Sequence, residues 1–158
     1  MKQSIKPIPE GFHTINPLLI VHNAAKAIDF YKKAFGATEM LRMGKPDNKI
    51  WYAQLKVGDS MLLLCDELDK DTRGPKAYGG SPMGLHLYVA DVDTTAKQAV
   101  AAGATLLEKP DDMFYGLRRA SIEDPFGHRW FVAMQIENLS PEDHDKRAAE
   151  NGWVDLSK

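Results

Sequence analysis

A single cysteine, Cys65, is all the thiol chemistry this chain of 158 residues carries, so it closes no disulfide on itself. A reducing compartment is the natural expectation, and we expect a cytoplasmic protein. Long hydrophobic runs are missing too. Stretches such as Leu18 to Val21 and Met61 to Cys65 are far too short to span a bilayer. The opening "MKQSIKPIPEG" has no apolar core of the kind that directs secretion. Charge of one sign is lacking as well. The net charge is −2, and the one Arg pair, Arg118-Arg119, has no basic neighbourhood. No nucleic acid and no membrane are therefore expected as partners.

What is present is an ordinary globular composition, 44% hydrophobic and 27% charged. A chain of this length buries roughly 70% of its unfolded surface, enough for a core without staples. It also carries a repeat. Gly36-Ala37-Thr38 returns as Gly103-Ala104-Thr105, 67 positions on. Upstream of the first copy, the short strand run Leu18 to Val21 leads to Asn23 as a helix N-cap. Ala24, Ala27, Ile28, Tyr31 and Phe35 follow at helical spacing, and Gly36 stands as the left-handed stop. Upstream of the second, Leu85 to Val89 leads to Asp91 as cap, then Val92, Ala96, Ala99 and Val100, then Gly103.

Each copy continues into three strand-like stretches. "TEMLRM", "KIWYAQLKV" and "SMLLLC" follow the first, and "TLLEKP", "YGLRRASIE" and "HRWFVAM" the second. The predicted class is α+β, with two tandem βαβββ modules over about 14–67 and 82–136. A linker covers 68–81, dense in Gly, Pro and charge. The expectation is of curved mixed sheets around a shared concave cavity, within a single domain over 12–137. A tail over 138–158 follows, where Ser140, Pro141 and the acids Glu142 and Asp143 announce a short helix.

Strand alternation nominates the ligand-facing side chains. In "KIWYAQLKV" it sets Trp51, Ala53, Leu55 and Val57 under a helix and turns Tyr52 and Gln54 to the concave face. In "GLHLYV" it turns His86 and Tyr88 away from Leu85 and Leu87. Cys65 reads as an inert core thiol, His22 and His128 as structural, and His13 and His144 as surface residues. Glu67, Glu123 and Asp124 read as solvated carboxylates at strand ends.

"AIDFYKKAFGAT" and "DPFGHRW", on this doubled plan, resemble the vicinal oxygen chelate superfamily of glyoxalases, bleomycin-resistance proteins and extradiol dioxygenases. Phe114-Tyr115-Gly116, Arg118 and Asp124 to Trp130 are similar to the closing pattern of its PhnB-like branch. The resemblance implies a pocket to which Asn16, Tyr115, Arg118 and Phe131 contribute beside Tyr52, Gln54, His86 and Tyr88. Metal-using members place His or Glu at four inward positions, and these fall here on Asn16, Leu63, Gly84 and Phe131. An amide, an alkyl chain, no side chain and a phenyl ring make no divalent site, so no metal and no cofactor are expected. The branch's His-Ala-Glu stands here as Tyr52-Ala53-Gln54, and its Asp as Leu117, which removes acid/base groups. The function implied is metal-independent small-molecule binding of the sequestering or resistance type. The alternative is a metal-dependent lyase, isomerase or dioxygenase of the same superfamily with atypical ligands. Half a cavity per chain, and edge strands such as the one carrying Pro17, lead us to expect a homodimer.

Overall fold

The computed structural model describes residues 5–157. They divide into two compact units: the chain up to Ser81 with Pro125–Gly127, and Pro82–Asp124 with the described chain from His128 on. The first unit runs β1 (Leu18–Val21), α1 (Ala24–Phe35), β2 (Thr38–Gly44), β3 (Ile50–Val57) and β4 (Ser60–Asp66). The second runs β5 (Gly84–Tyr88), α2 (Val92–Ala101), β6 (Thr105–Asp112), β7 (Leu117–Glu123) and β8 (Arg129–Gln135), and α3 (Pro141–Glu150) follows. The order is βαβββ twice, as the repeat predicts. Each unit holds a four-stranded mixed sheet, β1-β4-β3-β2 and β5-β8-β7-β6, with one parallel pair, β1 with β4 and β5 with β8.

The helices start and stop where their residues dictate. Asn23 accepts from the Lys26 amide, Asp91 from that of Thr94 and Ser140 from that of Asp143. In the first unit, Leu19, Leu64 and Ala53 form one ladder row, with Leu55 and Leu62 in the next. All five are buried, and α1 packs over this sheet. Tyr31 lies stacked on Phe35 at 5.9 Å and touches Phe30 and Phe126 edge-on or tilted. On α1, Phe30 and Ala34 join the predicted stripe in the core, and Phe35 is only half-buried.

The alternation in β3 holds for Ala53, Leu55 and Val57 and fails at Trp51, which is 43% exposed while Ile50 is buried. The cause is a bulge. Met43 pairs with Tyr52 and Gly44 with Ile50, so Trp51 has no partner across the ladder. An extra residue in one strand breaks the period of two. Lys45 Nζ covers its ring, 3.7 Å from the centroid. Val100, placed in the α2 stripe by spacing, is also exposed, and only Val92, Ala96 and Ala99 are buried there.

Candidate functional site

In the second unit, ladder rows sort the sheet into two faces. Leu87, Val132 and Ala120 share a row, as do Leu85, Trp130 and Ile122. These six apolar residues occupy the face that packs on α2. On the other face, His86 lies beside Phe131, which pairs in turn with Ser121. The His86 ring stacks on Phe131 at 5.8 Å and meets Tyr88 at 5.4 Å. The guanidiniums of Arg119 and Arg129 lie over Phe131 at 5.2 and 4.9 Å from its centroid. Glu108 bridges the two arginines, at 2.7 Å from Arg119 and 3.5 Å from Arg129. Arg119 Nε is the one buried side-chain nitrogen or oxygen among the described residues with no hydrogen-bond partner.

Arg118 is placed elsewhere. Its Nε and Nη2 donate to both carboxylate oxygens of Asp93 on α2, at 2.6 and 2.9 Å, and Nη1 donates to Asp112. That bidentate grip holds Arg118 to the helix side and keeps the Asp93 carboxyl below its usual range. Its neighbour Arg119 shares the face of His86 and Phe131.

A cavity of about 900 Å³ opens in this unit. His86 and Leu117 contribute to its wall from the sheet, and Phe114 and Tyr115 from the β6–β7 turn. Gly116 closes that turn at φ 82, where a side chain would be strained. The Met113 amide donates to the Leu117 carbonyl and the Gly116 amide to that of Met113. The rest of the wall is tail: His144, Asp145 and Ala148 of α3, then residues 153–156. Trp153 meets Phe114 edge-on at 5.4 Å.

Of the side chains nominated by sequence, His86 and Tyr115 line this cavity, with Tyr88 and Phe131 in ring contact beside His86. Asn16, Tyr52 and Gln54 belong to the first unit. Gln54 Nε2 donates to Tyr52 Oη at 3.0 Å, and the Asn16 side chain exchanges two hydrogen bonds with the His13 backbone. Sequence reading missed the tail. His144 is exposed, as expected, and also borders the cavity. Asp124 is corrected as well. Only 3% exposed, it accepts from the His128 amide and from Trp130 Nε1, both at 2.9 Å, so it is a clasp and not a solvated carboxylate.

The residues at the four metal-ligand positions do not fit a divalent ion. Leu63 stands in a row with Leu18, Gln54 and Leu41, one amide among alkyl chains. A Cβ on Gly84 would lie 2.5 Å from Phe131 Cε2, so the phenyl ring fills the space a ligand at 84 would need. Among the described residues no three His, Cys, Asp or Glu side chains gather into a metal-holding group, and no helix is long and apolar enough to cross a membrane.

The model of the Glyoxalase/Bleomycin resistance protein/Dioxygenase superfamily matches residues 11–132. An uncharacterized protein of Mycobacterium bovis is 34% identical over 142 residues, 87% of this chain and 93% of that protein. Among solved structures, a gene product of Arabidopsis thaliana superposes with a TM-score of 0.64 at 26% identity, over 77% of this chain and 98% of its own. TioX from Micromonospora sp. ML1 gives 0.60 at 23%, over 81% of this chain and 100% of its own.

Proposed function

Since the chain belongs to the Glyoxalase/Bleomycin resistance protein/Dioxygenase superfamily, we propose that it is a metal-independent small-molecule binding protein of that fold, of the sequestering or resistance type. The observation that carries this reading is the cavity of about 900 Å³ in the second unit. Its volume lies within the range of small-molecule sites, and its wall mixes rings with a few polar groups, as such sites do. Metal independence is supported by the chemistry of Asn16, Leu63, Gly84 and Phe131 and by the Phe131 ring in the place of a side chain at 84. Membership of the PhnB-like branch rests on the motifs around Phe114-Tyr115-Gly116 and Asp124 to Trp130. A cytoplasmic setting is supported by the one cysteine, buried and unpaired with another.

A homodimer belongs to the same proposal. Edge strands β1 and β2 expose Leu18, Met40 and Met43, a surface suited to a second copy. Light scattering at micromolar concentration would return twice the chain mass, and a monomer mass would remove this part.

The test of the main reading joins metal quantitation to a thermal-shift panel of planar amphipathic compounds. Metal well below one equivalent per chain, with at least one compound raising Tm in proportion to the logarithm of its concentration, is expected. One equivalent of Zn, Ni, Mn or Fe, lost in His86→Ala, would overturn it in favour of a metal-dependent enzyme.

A further inference from the structure

The cavity wall says more than that something small binds there. It carries three rings, Phe114, Tyr115 and Trp153, two imidazoles, His86 and His144, and two carboxylates, Asp145 and Asp155. Lysine and arginine are absent from it. Next along α3, Lys146 is exposed and off the wall, and Arg147 pairs with Glu137 and also donates to the Phe114 carbonyl. Asp155 accepts from the Ser157 amide and hydroxyl and keeps its negative charge, so an anionic guest would meet two negative groups on this wall. A guest with a delocalised positive charge would find π-faces and carboxylates together, the combination that recognises organic cations.

Trp153 is held in place by the backbone. The Gly152 amide donates to Ala149 and the Trp153 amide to Ala148, at 3.1 and 2.8 Å, with Gly152 left-handed at φ 74. These two bonds are a Schellman stop, in which the residue after the glycine folds back over the last turn of its helix. Here the folded-back residue is a tryptophan and the residue beneath it, Ala148, shares the cavity wall. Trp153 is 62% exposed, so the indole is accessible to a guest. All of the tail's contribution lies beyond residues 11–132, which the superfamily model matches.

Resting on the binding reading above, we infer that the ligand class of this cavity is a planar organic cation, clamped between Trp153 and the Phe114–Tyr115 turn and drawn in by Asp145 and Asp155. Trp153 then determines affinity for flat molecules, and the two aspartates determine the sign of their charge.

The experiment uses the full chain and three probes of nearly one shape: N-methylacridinium, neutral acridine and acridine-9-carboxylate. Affinities are measured by equilibrium dialysis at neutral pH and low salt. The cation should bind at least about tenfold more tightly than either of the others, and added salt should narrow the gap. Asp145→Asn should weaken the cation alone by several-fold, and Asp155→Asn supplies the same test from the tail. Trp153→Ala should weaken both the cation and neutral acridine, and Trp153→Phe should restore part of that loss. Equal affinities for the three probes, or preference for the carboxylate, would overturn the cation assignment while leaving the binding reading intact. Binding of none of them would overturn this inference, and the thermal-shift panel would then decide the binding reading separately.

Discussion

The two units follow one plan of strands and helix, yet they place their aromatic rings differently. In the first, Phe30, Tyr31 and Phe126 are buried, and the rings touch one another behind α1. In the second, α2 buries only Val92, Ala96 and Ala99. The rings of His86, Tyr88 and Phe131 lie on the sheet face turned away from that helix, and Phe114, Tyr115 and Trp153 border the cavity. A bulky helix face needs its rings for packing. A helix face of small residues leaves room for one large ring from the sheet, Trp130, and the other rings lie elsewhere. The same topology thus buries most of its rings in one copy and leaves most of them off the core in the other.

The sharpest way to break this comparison is to truncate one ring from each unit. Tyr31→Ala should lose about 3–5 kcal/mol in urea melts, the range for a large buried aromatic. Phe131→Ala, whose ring is only half-buried, should lose less than half as much. Equal losses would mean that the rings of the second unit also serve as core.

Next in size is the pair of carboxylate clasps. Asp66 accepts from the amides of Ala24 and Ile50 in the first unit, at 2.7 and 2.8 Å. Asp124 accepts from His128 and Trp130 in the second, where it is more deeply buried. Asp124→Ala should lose about 1.5–3 kcal/mol, with Asp66→Ala at the lower end or below, because truncation leaves buried donors unpaired. The reverse order in denaturant melts would contradict the burial difference.

A smaller effect is expected at Cys65. Burial raises its thiol pKa, and the Asp66 charge adds to the rise. Because the folded value lies above the unfolded one, the contribution to stability is complete below the unfolded thiol pKa. It is lost as pH climbs through the folded value. Native protein should therefore react slowly with a disulfide reagent and quickly in urea, and Cys65→Ser should flatten the loss of stability on the alkaline side. Fast labelling without denaturant would refute this.

The smallest effect should be that of Trp51→Ala. Removing an exposed ring covered by Lys45 should change stability by about 1 kcal/mol or less. A loss of several kcal/mol in the same melts would restore Trp51 to the core and erase the bulge as its explanation.

Much of the fold was legible because the repeat supplied two independent readings of each element. Asn23 with Gly36, and Asp91 with Gly103, bracket both helices in the sequence as in the structure. Strand alternation carried the assignment of Ala53, Leu55, Leu85 and His86. It failed at Trp51 because a bulge is a local insertion that no period announces. Arg118 could have been set on the helix side by counting back from Ala120 and Ile122, residues of its own parity. The cavity wall was less legible. His144 comes to it from the first turn of α3 and Trp153 by the way that helix ends, where the signal available was Asn151-Gly152 followed by an apolar residue, a helix stop that turns the chain back.

The contact between Gly84 and Phe131 also limits how this protein could be altered. A histidine installed at 84 alone would drive its Cβ into the phenyl ring. One installed at 131 alone would lie across from His86 in the ladder and still face a residue with no side chain at 84. The order of the two changes matters, because position 131 has to give up its ring before 84 can take a side chain. Turning this face toward metal chemistry by single substitutions therefore has to begin at 131.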